Sequence, residues 1–205
     1  GRLRIFADGP KSTEVFYDVY NSISPGGNVV AVNPRSQRLM GSCFFHPREH
    51  HVSLGVMNVH PNYFGHGVAR ALVQHIIDYT DQHGFKSLRL TSSAMNIDSF
   101  SLYNRAGFVP RCTYQDMFVP VPAGGLKHAV TGSERVRDAV PADVPRMAAL
   151  EMEISGICRE QDYAYCIKNE LGCWHCSVIE NARGDLDGWL ISCGHSGMNM
   201  VGPGV

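Results

Sequence analysis

Gly65 and Gly67 flank a single residue, His66, and the residue pattern changes across them. Before them, Val56-Met57-Asn58-Val59 is a short apolar run with β-branched residues, which reads as the end of a buried strand. His60-Pro61-Asn62 stops that strand, because proline donates no hydrogen bond and restricts the residue before it. After them, Val68, Leu72, Ile76 and Tyr79 fall on one helical face, with Val73 and Ile77 beside them. A strand, a glycine turn and a helix in this order make an anion site. The first N–H groups of a helix have no acceptor within it and lie at the positive end of its dipole. Glycines let a phosphate approach those donors closely. A tight turn without a ligand is the plainer reading, and the flanking residues decide between the two.

Cysteine and histidine are the other chemically capable residues. The seven cysteines are Cys43, Cys112, Cys158, Cys166, Cys173, Cys176 and Cys193. An odd, scattered set reads as reduced thiols of a cytoplasmic protein rather than a secreted disulfide framework. Cys173-Trp174-His175-Cys176 has C-x-x-C spacing. Zinc would need two more ligands, with Cys193 and His195 the candidates, and no second C-x-x-C exists. A redox role would place the motif at a helix N-terminus, whereas Ser177-Val178-Ile179 reads as a strand. The spacing is therefore taken as coincidence. His46, His50 and His51 surround an expected turn, where solvated side chains are the expectation, and no metal site is expected.

The elements that must position these residues follow from periodicity. Residues 13–22 carry a helical pattern through Val15, Phe16, Val19 and Tyr20, ended by Pro25-Gly26-Gly27. Strands over 28–32, 39–45 and 52–59, with short polar turns, form an antiparallel meander. A helix over 67–83, stopped by Gly84, and a strand over 85–91 complete a β-α-β unit of right-handed crossover. Residues 97–105 form a further short helix, and 109–121 read as a β-hairpin closing the sheet. Residues 123–132 read as a linker. Beyond it come a strand over 134–140 and a helix capped by Asp143 with Pro145 in its first turn. A helix over 162–174 and strands over 176–179, 188–193 and 198–201 follow. The fold class is α/β (α+β): a mixed, mostly antiparallel sheet around a central β-α-β unit.

The 205 residues suffice for one large domain or two small ones. A formal net charge of −1 gives no bulk attraction to nucleic acid or an anionic membrane. No apolar run approaches the roughly 20 residues that span a bilayer. The chain opens Gly1-Arg2-Leu3-Arg4, with no secretory leader pattern and no initiator Met. The oligomeric state is left open.

Two stretches carry a family resemblance. Phe64-Gly65-His66-Gly67-Val68-Ala69, led by Val59-His60-Pro61-Asn62-Tyr63, resembles the acetyl-CoA loop of the GNAT superfamily of N-acetyltransferases, whose form is Q/R-x-x-G-x-G/A. Phe64 stands where Gln or Arg is usual, and the backbone donors do not depend on that side chain. Asn96 and Ser101-Leu102-Tyr103-Asn104-Arg105-Ala106-Gly107-Phe108 resemble the family's N-x(n)-a-x-x-L/F-Y-x-x-x-G-F signature. It follows the loop by about 40 residues, and two motifs in the right order are a much stronger signal than either alone.

The resemblance implies acetyl transfer from acetyl-CoA, as cosubstrate, to a primary amine of a small molecule or a peptide. It implies that the phosphates bind at Gly65, His66, Gly67, Val68, Ala69 and Arg70. The pantetheine arm would lie along Met57, Asn58 and Val59, where the strands over 52–59 and 88–91 splay apart. Asn96 would contact the arm or hold its loop. Tyr103 would protonate the leaving thiolate, although a core tyrosine is the plainer reading of a helical position. The family's usual basic glutamate is replaced by Ser53, leaving a water relay, Glu49, His50 or His60. Rival readings are a non-catalytic acetyl-CoA-binding module or sensor, a scaffold whose loop is only a turn, and transfer of a different acyl group fitted beside Met57 and Met95.

Residues 136–150 resemble the opening strand and helix of a second such domain. The chain is read as residues 1–122, a GNAT acetyltransferase domain; 123–132, a linker; and 133–205, an incomplete second GNAT-like module of a tandem protein. The alternative is that the later segment supplies opening elements to the first unit.

Overall fold

The structure is a computed structural model describing residues 13–115, 117–127 and 130–205. Helix α1 (Glu14–Ile23) buries Val15 and Val19, one turn apart on its inner face. Strands β1 (Asn28–Val32), β2 (Leu39–Pro47) and β3 (His51–Val59) form the expected antiparallel meander. Helix α2 (Val68–Gln82) buries Val68, Leu72, Val73, Ile76 and Thr80, the stripe read from the sequence. Strand β4 (Ser87–Arg89) then pairs parallel with β3, completing the β-α-β unit, and α3 (Ile97–Arg105) follows. One cluster fills this half: Cys43, Phe45, Val52 and Leu54 from the sheet against Val68, Leu72, Val73 and Ile76 from α2.

A second antiparallel sheet has the order β5-β6-β7-β8, from β5 (Val136–Asp138), β6 (Trp174–Glu180), β7 (Leu186–Cys193) and β8 (Met200–Gly204). Helices α4 (Val144–Ser155) and α5 (Glu160–Lys168) pack on it. Their cluster centres on Met147, Tyr163, Val178, Trp189 and Ile191. The two halves meet at a buried ion pair, in which Arg48 Nη2 donates to Asp162 Oδ2 at 2.9 Å and Arg48 Nη1 to Ser24 Oγ at 3.2 Å.

Several elements differ from the sequence reading. Described residues within 109–121 form no strand, and Val109, Tyr114, Met117, Phe118, Val119 and Val121 are exposed. Pro110, Pro120 and Pro122 remove ladder donors there, and an alternating pattern makes a strand only beside a partner. Strand β4 has three residues rather than seven. Helix α5 stops at Lys168 because Asn169 turns left-handed, with φ 51°, and the next residues lead into β6. Asp143 does not cap α4. Its carboxylate turns back to accept from the Val140 N–H at 2.9 Å and from the guanidinium groups of Arg137 and Arg146. His46 and His51 are buried in the sheet rather than solvated, and His50 is half-buried.

Candidate functional site

The site is built where β3 leaves its neighbours. Pairing with β4 stops after His51, Val52 and Ser53, so beyond Ser53 the strand keeps β2 on one edge only. Cys43 faces Met57 while Phe45 faces Leu54, so three steps on β3 match two on β2. This β-bulge at Gly55-Val56 increases twist and turns the strand's end away from β4. A glycine inside a strand pattern is the sequence signal for such a bulge. Gly55 is also sterically required, since a Cβ there would lie 3.0 Å from His46 Nε2 and 3.2 Å from Phe44 Cβ.

From Val59 the chain passes through a 3-10 turn, Pro61–Tyr63, into the glycines. Gly65 and Gly67 both have left-handed φ, 77° and 78°, and a side chain at either would point into open space. The requirement is conformational: β-carbon sterics disfavour this region for other residues. Gly67 occupies the N-cap of α2 and supplies no side-chain cap, and the first turn holds no acid. The N–H groups of Val68, Ala69 and Arg70 therefore lack intrahelical acceptors at the positive end of a 15-residue helix. Val68 anchors the turn in the core. Arg70 is exposed and has no acidic partner among the described residues. His66 packs back on the loop through Nδ1, 2.9 Å from the Phe64 carbonyl oxygen. Phe64 projects outward.

Tyr103 comes to the same place from α3. It packs on the cluster containing Cys43, Met57, Val59 and Val68, with its ring edge-on to Phe108 at 5.7 Å between centroids. Burial raises its hydroxyl pKa, and the nearby Cys43 thiol adds to the rise. Cys43 is the β2 partner of Met57, and Met57 and Tyr103 pack against the same cluster, which ties Tyr103 to the bulged part of β3. Cys43 itself is pushed up to about 12 by burial and remains a protonated thiol. Asn96 caps α3, its Oδ1 accepting from the Ser99 N–H at 3.2 Å, so it fixes the entry angle of the helix that carries Tyr103. Met57, Val59, Val68 and Tyr103 are thus gathered around one cluster, while Asn58, Asn96 and Arg70 lie on exposed ground around it.

No carboxylate replaces the absent glutamate on β3. Ser53 lies opposite His46 on β2 and Arg89 on β4. Glu49 and His50 pair with each other at 3.5 Å at the far end of the hairpin, and His60 Nδ1 accepts from the Asn62 N–H at 3.2 Å. Burial lowers His46 and His51 to about 4, with Arg48 adding to the effect on the first and Arg89 then Arg48 on the second. Among the described residues no group of His, Cys, Asp and Glu could hold a metal ion. No described helix is long and apolar enough to cross a membrane.

Residues 4–108 match the model of the acetyltransferase (GNAT) family. Comparison with curated proteins gives no match. Among solved structures, the chain is similar to a probable acetyltransferase, with 20% identity over 55% of this chain and 79% of that one, at a TM-score of 0.43. It is similar to the ribosomal-protein-S18-alanine N-acetyltransferase from Escherichia coli, with 20% identity over 53% and 68% of the two chains and a TM-score of 0.43. A chain of the NatC complex bound to Gag peptide and CoA shows 23% identity over 48% and 67%, with a TM-score of 0.43.

Proposed function

Since the chain belongs to the acetyltransferase (GNAT) family, we propose that it moves an acetyl group from acetyl-CoA to a primary amine by direct attack, with residues 1–122 as the acting domain. The observation that carries this is the loop from β3 to α2, with two left-handed glycines and open space above both. A group with phosphates fits there, because the uncapped donors of the helix and the unpaired Arg70 favour negative charge. When bound, acetyl-CoA supplies the activated acyl group.

The chain's own residues have three tasks. The N–H groups of Gly65, Gly67, Val68 and Ala69 hold phosphate oxygens, while the His66 N–H donates to the Tyr63 carbonyl at 3.3 Å and shapes the loop. The free edge of β3 at Met57, Asn58 and Val59 offers backbone donors and acceptors to an extended amide-bearing arm, in the manner of an added strand. Tyr103 keeps its proton through neutral pH, since burial has raised its pKa, and delivers it to the departing sulfur. Positioning supplies much of the rate, because the amine needs only to be held against the acyl carbon. With serine at position 53, the acceptor enters as the neutral amine or loses its proton through water. The rate therefore rises with pH as the amine deprotonates. It falls again as pH climbs through the raised pKa of Tyr103. The acceptor class remains a small-molecule or peptide amine, and the free cysteines fit a cytoplasmic setting.

The test is titration of acetyl-CoA into the chain by calorimetry, followed by an amine panel read by release of the CoA thiol. Saturable binding with thiol release supports transfer. The serine at the usual base position favours a second reading, a sensor that binds acetyl-CoA; it would bind and release no thiol with any amine. Absence of binding would overturn both.

For the remainder of the chain, we propose that residues 133–205 form a second module of the same plan, joined through 123–132. A protease-resistant fragment of residues 1–122 that still binds acetyl-CoA would support this. A fragment that unfolds would show that the later segment completes the first domain.

A further inference from the structure

The C-x-x-C spacing does not bring its own two cysteines together. Cys173 lies just before β6, and its partner is Cys193, the last residue of β7, with the two sulfurs 3.8 Å apart. Cys176 instead faces the core cluster that also holds Cys166 of α5. The backbone around the first pair is already fixed. Trp174 lies opposite Cys193, and the Gly194 N–H donates to the Cys173 carbonyl at 2.8 Å. A disulfide brings sulfurs to about 2.05 Å, so closing this pair needs side-chain rotation within a frame that the strand ladder holds. Access to the two differs. Cys193 is 3% exposed, whereas Cys173 is only partly covered. Cys173 can therefore meet a reagent from solution, and Cys193 is reached only through Cys173.

We propose that Cys173 and Cys193 form a reversible thiol–disulfide site whose reaction partner is a small-molecule disulfide of the oxidised glutathione type. The Cys173 thiolate attacks one sulfur of glutathione disulfide. That S–S bond breaks, one glutathione thiolate leaves, and a mixed disulfide remains on Cys173. The Cys193 thiolate then attacks the Cys173 sulfur and expels the second glutathione thiolate. The protein loses two electrons and two thiol protons, and two glutathione thiols take them up. Burial raises the pKa of Cys193, so the second step quickens as pH rises. The product ties the open end of the β6–β7 hairpin, opposite its 181–185 turn.

The test uses the full chain incubated with glutathione disulfide, quenched with an alkylating reagent and mapped as peptides without reduction. The expected result is a single Cys173–Cys193 cross-link, with loss of two hydrogen masses. It forms faster at higher pH, is reversed by dithiothreitol, and is replaced by mixed pairings when the chain is oxidised in urea. Cys193→Ser should stop at a glutathione adduct on Cys173, and Cys173→Ser should leave Cys193 unmodified. A stable adduct on Cys173 in the unaltered chain, a cross-link joining Cys166 to Cys176, or unreacted thiols throughout would each overturn the proposal. The unaltered chain gives this reading by itself, so a serine variant that fails to fold does not blur it.

Discussion

The two sheets use similar elements to opposite ends. In the second sheet, polar groups are turned inward on each other. Asp143 is 1% exposed, takes two bonds from Arg137 and one from Arg146, and both arginines also reach Glu180. In the first sheet, the opening N–H groups of α2 have neither a side-chain cap nor an acid beside them, and β3 sheds its parallel neighbour after three residues. One half consumes its hydrogen-bonding capacity in holding β5, α4 and β6 together. The other keeps capacity free at the one place where the strand is bulged and the loop is open. A binding site here is a local failure to satisfy the backbone, held in position by a core that is otherwise complete.

The comparison breaks most visibly if a change in the closed network reaches the open loop. Asp143→Ala removes the buried carboxylate but leaves Arg137 and Arg146 paired with Glu180 and open to solvent, and should cost about 2–3 kcal/mol in urea unfolding. The affinity of the folded protein for acetyl-CoA should be unchanged. Acid should act in the reverse sense. His46 and His51 belong to the first sheet and sit at about 4 when folded, against 6.5 for a free side chain. Their folded pKa values are depressed, so unfolding takes up protons between those limits. The stability they permit is complete above 6.5 and is lost as pH falls toward 4. At pH 5 the loss should be about 2 kcal/mol for each histidine. Asp143 is held at about 2 against 3.8, so its contribution is present above 3.8 and fades only as pH falls toward 2. Amide hydrogen exchange at pH 5 should thus show the first sheet loosening while the second remains protected.

Smaller effects sharpen the account of the loop. Gly67→Val puts a β-branched residue at a left-handed N-cap and should weaken acetyl-CoA about a hundredfold by calorimetry. Tyr103→Phe should lower kcat about tenfold, with acetyl-CoA affinity unchanged. An unchanged kcat would return Tyr103 to a purely core role. Phe64→Gln should tighten acetyl-CoA by roughly threefold or less, the worth of one exposed hydrogen bond.

Local chemistry was the legible part of the sequence. The stripe from Val68 to Ile76, the glycines of the loop and the three-strand meander follow from period and turn residues, and the structure has them at those positions. Elements whose existence depends on a distant partner were not legible. The 109–121 segment alternates like a hairpin but its described residues join no ladder, and Asp143 reads as a helix cap although Arg137 and Arg146 take it instead. His46 looks like a turn residue until α1 covers it, with the Tyr20 ring 4.6 Å away between centroids and Ser24 Oγ 3.1 Å from its Nδ1, and His51 until β4 pairs with it through Ser87. Of the candidate site, the loop and Tyr103 were visible as motifs. The bulge at Gly55-Val56 was not, because register is a property of two strands.

The Arg48–Asp162 ion pair joins residues 114 positions apart. Closing so long a loop from an unfolded chain costs on the order of 4 kcal/mol in entropy, and two desolvated charges return little until their surroundings are in place. The pair is therefore expected to form late on the folding route, when two largely assembled halves dock. Contacts that form after the transition state govern the rate of coming apart rather than of coming together. Asp162→Asn should accordingly steepen the escape from the native state while leaving the refolding arm of the chevron in place, making this junction a clasp that sets how long the two halves stay together.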